Sequence, residues 1–145
     1  MRPVNIKVEK ARKRQLRYVW ARMRDDDKKE MLALPFASID QFFHPEAHAM
    51  CSSVNGTPAF CFGHWVRGCA VNVWGFGTRL TDENASLMGK YARAFTRLLA
   101  QEYPGFDVIV AVHMENKRRF NWHKNLGFRE AGFEYSGLRW LRYEG

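Results

Sequence analysis

Long apolar runs are missing from this chain of 145 residues, and with them any segment able to span a membrane as a helix. Cysteine is scarce and odd in number, three in all, which argues against a disulfide framework and suits a reducing compartment. The five prolines and 11 glycines are scattered, with no Gly/Ser-rich linker, no repeat and no low-complexity tract, so a single domain over 1–145 is expected. The first 14 residues are basic, but no apolar segment follows, so they do not read as a secretory signal. Acid is in deficit: 15 Asp and Glu face 23 Lys and Arg, for a formal charge of +8. What is present is a core. Hydrophobic residues make up 46% and aromatics 14%, too much for a disordered basic tail. The surplus charge asks for anionic partners: phosphates, nucleic acid or acidic protein surfaces.

Residues 5–8 alternate weakly and predict a first strand. Leu16, Val19, Trp20 and Met23 recur at helical spacing and predict a helix over 12–24. Asp25-Asp26-Asp27 followed by Lys28-Lys29 reads as a solvated charge cluster. The stretch 31–43, broken by Pro35, reads as a short helix or loop pieces. Asn55-Gly56 between 50–54 and 58–63 predicts a tight hairpin, with Pro58 at a strand start or unpaired edge. A third strand over 69–74 is ended by Gly75-Phe76-Gly77, and 78–85 is polar and loop-like. Leu87, Tyr91, Phe95, Leu98 and Leu99 form one face of a helix over 86–103 that Pro104-Gly105 stops. The strongest strand is 106–114. A helix over 117–126 follows, closed by Gly127, with two late strands at 133–135 and 138–143. This order predicts an α/β fold, a mixed central sheet with helices on both faces.

The segment from Asn116 to Gly127-Phe128, coming after a strong apolar strand, resembles the C-terminal signature of GNAT-type N-acetyltransferases. Ser86-Leu87-Met88-Gly89-Lys90-Tyr91 resembles that family's pyrophosphate turn in part, with Gly89 at its middle glycine, while Ser86 and the bulky Tyr91 depart from it. A frame starting at Arg79 would set Asp82 and Asn84 at the glycine positions, so the Ser86 frame is preferred. A narrower likeness is to the GNAT-like internal virion protein A group of short-tailed bacteriophages. It is carried by Gly56-Thr57-Pro58-Ala59-Phe60, by Gly89-Lys90 with Phe95, and by the Asn-to-Gly segment. These resemblances imply a GNAT-like fold, acetyl-CoA as cofactor, and N-acetyl transfer of low activity because the turn is degenerate. They also imply phage virion proteins as partners, and a place in the host cytoplasm or with the virion.

The resemblance also assigns roles. The arm of the cofactor would lie between splayed strands around Val73 and Val112, with a backbone N–H near Val73 facing the oxyanion. Ser86, Gly89 and Lys90 would meet the pyrophosphate at a helix start. Asn116 would order the next helix or hold the arm, and the same residue is an ordinary N-cap. Lys117, Arg118 and Arg119 open that helix, where cations oppose its dipole and so ask for an anion such as a CoA phosphate. His123 stands where many members carry a Tyr, and an imidazole with a pKa near ~6.5 could protonate the departing thiol. His113 and Glu115 share one face of the strand before Asn116, and either could take a proton from an attacking amine.

Two other classes stay open at this point. A non-catalytic module of the same fold, acting in virion structure or assembly, fits the degenerate turn equally well. The arm Lys7 to Arg24, with Tyr18 and Trp20, could contact nucleic acid, although no nucleic-acid-binding motif is present. His44, His48, Cys51, Cys61 and His64 form no recognised zinc knuckle and read as buried thiols and ordinary histidines, so no metal is expected.

Overall fold

The computed structural model describes residues 3–33, 38–135 and 137–145. The elements are β1 (Ile6–Lys10), α1 (Lys13–Ala21), α2 (Asp25–Ala33), β2 (Met50–Val54), β3 (Thr57–Arg67), β4 (Ala70–Gly77), α3 (Arg79–Glu83), α4 (Ala85–Glu102), β5 (Asp107–His113), α5 (Lys117–Leu126), β6 (Phe128–Tyr135) and β7 (Leu138–Tyr143). Short 3-10 turns occupy Ile39–Phe43 and Pro45–Ala47. The described strands form one sheet in the order β1-β2-β3-β4-β5-β7-β6. Every neighbouring pair is antiparallel except β4 with β5. This is the expected mixed sheet with helices on both faces.

Two buried clusters show how the layers form. Leu16 and Val19 of α1 pack with Phe42, Cys51, Cys61, Trp74 and Phe76 on one face. Leu99 of α4 and Leu126 of α5 pack with Val71, Val108, Val110 and Val112 on the other. β4 feeds both clusters because alternate side chains of a strand point to opposite faces. The hairpin forms as its turn residues require: Asn55 and Gly56 take φ of 49° and 85°, the left-handed pair that suits a two-residue loop. Pro58 sits second in β3, beside a register shift between Ser52 and Ser53 and beyond the last β3–β4 pair, Phe60 with Gly77. There no ladder bond is asked of its nitrogen.

Several local expectations are corrected. Residues 25–33 are helical, and Asp27 and Glu30 within them are buried rather than solvated. The stretch 78–85 holds a helical turn, α3, because Thr78 caps it by accepting from Leu80 N at 3.3 Å. The strand expected to stop at Trp74 runs three residues further: Gly75 lies inside β4 and Gly77 is its last residue. A Cβ on Gly75 would lie 2.7 Å from the Phe60 ring and one on Gly77 2.5 Å from Thr81 Oγ1, so close approach explains both glycines. α4 is rotated from its predicted face: Met88, Thr96 and Leu99 are buried, while Leu87, Tyr91 and Leu98 are exposed. β6 begins at Phe128, five residues before the predicted 133. The break foreseen at Pro35 lies outside the described residues.

Candidate active site

β4 and β5 are joined over a short ladder only. Their pairs run from Ala70–Asp107 to Val73–Val110. β4 then continues to Gly77 and β5 to His113 without pairing, so the two strands part. Asp107 N donates to Cys69 O, which sets the alternation: the main-chain groups of Val71, Val73, Gly75 and Gly77 face β5. Past Val73 those groups therefore look into a cleft.

Two cavities reach this cleft from opposite faces. One, of about 320 Å³, lies between α4, α5 and the sheet, with Phe62, Met88, Phe95 and Trp122 in its walls. The other, of about 1070 Å³, opens on the α1 face and is walled by Glu30, Phe42, Trp65, Leu138 and Trp140. Val73, Trp74, Gly75, Val110 and Arg119 line both, so the cavities meet where the strands part.

A buried charged cluster spans the cleft. Asp27 and Glu30 lie one turn apart on α2, and Arg119 reaches them from the first turn of α5. Arg119 Nη1 donates to Asp27 Oδ1, and Nη2 donates to Gly75 O at 2.9 Å. Asp27 Oδ2 accepts from Arg24 Nε at 3.0 Å, Arg24 Nη2 at 2.8 Å and Gly77 N at 2.8 Å. Arg24 N donates to Gly77 O at 2.9 Å. Glu30 Oε1 accepts from His113 N at 3.3 Å and Asn116 Nδ2 at 3.1 Å. α2 is thereby fastened to the free end of β4 on one side and to the end of β5 on the other. Burial works against the charge of Arg119, but Glu30 and Asp27 outweigh it and hold the guanidinium firmly protonated. Burial raises the carboxyl of Glu30 above its ordinary range, with Arg119 opposing.

The residues singled out from the sequence fall into two groups. Val73, Asn116, Arg119 and His123 line the first cavity. Ser86, Gly89, Lys90, His113 and Glu115 line neither cavity. Gly89 lies inside α4, four residues past its first, so its N–H belongs to the helical ladder and is not free for a phosphate. Its missing side chain serves helix contact instead: a Cβ there would lie 3.4 Å from the Trp122 ring of α5. Ser86 and Lys90 are exposed on the same helix. Tyr91 is exposed too and borders the first cavity.

The proton-transfer roles change most. His123 is buried on α5, edge-on to Phe128 with ring centroids 5.5 Å apart. Its Nδ1 donates to Arg119 O at 2.9 Å, since a carbonyl can only accept, which leaves Nε2 without a proton in the neutral ring. Burial, then the charge of Arg119, pushes its pKa down to about 3. At neutral pH it holds no spare proton, which removes the reason for assigning it the acid's role. β5 ends at His113, so Met114 and Glu115 sit in a turn and share no strand face with it. His113 Nδ1 accepts from Glu115 N at 3.2 Å, a contact local to the turn. Asn116 is an N-cap, accepting from Arg119 N at 3.1 Å. Arg119 is committed to two carboxylates and a carbonyl, not presented to an outside phosphate. Arg118 is the exposed cation at the mouth of the first cavity, 3.5 Å from Asp26 and from Asp82.

Asp27 and Glu30 were missed at the sequence level. Their only signal there was an i, i+3 spacing inside an acidic run, and nothing in that spacing reveals a partner 92 residues away. Among the described residues no cluster of three or more His, Cys, Asp or Glu is placed to hold a metal ion. No described helix is long and apolar enough to cross a membrane.

No family model matches the sequence, and no curated protein sequence matches it. Solved structures do match. An acetyltransferase from Streptococcus agalactiae superposes with a TM-score of 0.73 at 12% identity, covering 95% of this chain and 97% of that one. PaiA N-acetyltransferase from Thermoplasma acidophilum, solved in complex with coenzyme A, gives 0.68 at 10% identity over 97% and 99% of the two chains. A GNAT-family acetyltransferase from Bacillus anthracis gives 0.66 at 11% identity over 95% and 92%. At these identities the likeness carries the fold, which is the GNAT fold. The narrower likeness to phage virion proteins gains nothing from these matches.

Proposed function

We propose that the chain is an acyl-CoA-dependent N-acyltransferase, acetyl-CoA being the simplest donor. One observation carries this reading: cavities from opposite faces of the sheet meet at the parting of β4 and β5, beside Val73 and Gly75. Such an arrangement suits a two-substrate transfer, because it lets donor and acceptor be held against one another at one point. The likeness to N-acetyltransferases, one of them solved with coenzyme A, supports it.

The residues fit the thioester end of such a donor. Phe62, Met88, Phe95 and Trp122 make the first cavity apolar, and the main chain of β4 at Val73 and Gly75 faces the cleft. The donor supplies the acyl group as an activated thioester. Val73 and Gly75 would hold its arm, Arg118 at the mouth would meet its phosphates, and Trp74 and Trp122 would keep water from the acyl carbon.

Calorimetric titration with acetyl-CoA at low salt tests this. The expected result is saturable binding that is lost in Ala92→Phe, which fills the first cavity from α4. No heat at ~1 mM ligand overturns the reading. That outcome would leave a non-catalytic protein of the same fold.

A further inference from the structure

We infer that Glu30 takes the proton from the incoming amine, an assignment that rests on the acyl-transfer reading and replaces His113 and Glu115 in that role.

Place is the first ground. Glu30 lines the second cavity, on the side from which an acceptor would approach, next to the shared wall of Val73, Gly75, Val110 and Arg119. Among the described residues the other carboxylate lining that cavity is Glu46, an exposed residue of the Pro45–Ala47 turn.

Hydrogen bonding is the second ground. Oε1 of Glu30 is fixed by His113 N and Asn116 Nδ2. Oε2 lies 3.2 Å from Arg119 Nε, yet among the described residues that buried Nε has no hydrogen-bond partner, so the contact is electrostatic and not a hydrogen bond. One oxygen is anchored and the other keeps its lone pairs. Asp27 is the contrast: both of its oxygens are filled by Arg119, Arg24 and Gly77 N, as suits a structural carboxylate.

The charges facing Glu30 come from two elements. Arg119 of α5 favours its ionised form, and Asp27 of α2 disfavours it. With burial added, Glu30 is a stronger base than an exposed carboxylate. The step balances. The amine nitrogen uses its lone pair to bond the acyl carbon while its proton passes to Glu30 Oε2. The carbon–sulfur bond breaks with its electron pair on sulfur. Glu30 then gives up the proton, through solvent, to that sulfur.

The test has two arms. In the ligand-free protein, isotope-edited infrared titration follows the Glu30 carboxyl, assigned by its loss in Glu30→Gln. It should titrate above the ordinary Glu value of about 4.3, and titration at or below that value overturns the proposal. The second arm measures thiol release from acetyl-CoA with spermidine, lysine and 2-phenylethylamine, alongside calorimetric acetyl-CoA binding. Glu30→Gln should bind acetyl-CoA within about twofold of wild type and lose at least ~100-fold in rate, and the acid limb of its pH profile should vanish. Unchanged rate and profile in a variant that still binds overturns Glu30 alone. Absence of acetyl-CoA binding in the wild type overturns the acyl-transfer reading itself. If Glu30→Gln does not fold, an isotope label placed at position 30 alone in the wild type assigns the signal and decides the first arm.

Discussion

A histidine that cannot hold a second proton leaves a mark on stability. His123 has a folded pKa of about 3 against an ordinary 6.5, so between those values the unfolded chain binds a proton that the folded chain refuses. Stability is therefore full above about pH 6.5 and falls as pH drops toward 3, at up to ~1.4 kcal/mol per pH unit from this group. Urea denaturation at pH 7 and pH 5 should show the loss, and His123→Gln should reduce it without abolishing it, because His64, lowered to about 4 by burial and by His48, adds a loss of the same sign. Gly89 gives the opposite kind of test. It sits in a helix interior, where glycine costs ~0.5–1 kcal/mol relative to alanine, and a Cβ there would meet Trp122 at ordinary contact distance. Gly89→Ala should raise the melting temperature and leave acetyl-CoA affinity unchanged. A phosphate-turn glycine would instead lose affinity.

Among the elements, α2 decides how the cleft is built. It is a helix of nine residues whose first turn is three aspartates, favourable at the positive end of the helix dipole. Its buried acids are paid for by Arg119 and Arg24. Arg119→Ala would leave Glu30 buried without a cation and Asp27 with Arg24 alone, and a loss of about 3–5 kcal/mol is expected. Arg118→Ala, one residue away but mostly exposed, should cost less than ~1 kcal/mol. Chemical denaturation of the two variants side by side checks the contrast. This is also where the sequence was least legible. An Asp-Asp-Asp-Lys-Lys run looks solvated because burial of an acid depends on its distant partners, here on α5 and at the end of β4. The hairpin, the N-cap at Asn116 and the C-cap at Gly127 (φ 108°) were legible because each is settled within a few residues. The face of α4 was not, since Leu87, Tyr91 and Leu98 follow helical spacing as well as Met88 and Leu99 do.

At the scale of the molecule, the sheet is two blocks, β1–β4 and β5–β7, joined by the four-pair β4–β5 ladder. The order of strands and helices in the sequence sufficed for this fold class, because alternation of strand and helix after β3 leaves few ways to cover both faces. It did not suffice for the chemistry of the cleft. The anion-seeking cations Arg118 and Arg119 were noticed, yet one is a rim charge and the other an internal tie.

That tie has a consequence in time. Arg119 and Asp27 are 92 residues apart in the chain, and the loop they close encloses β2 to β5. Closing so long a loop gains nothing until the strands between are in place. The pair should therefore be absent from the folding transition state. In stopped-flow experiments Arg119→Ala should speed unfolding by nearly the whole of its equilibrium destabilisation and leave the folding rate almost unchanged. The same clasp that shapes the cleft would then set how long the folded molecule lasts, with little say in how quickly it forms.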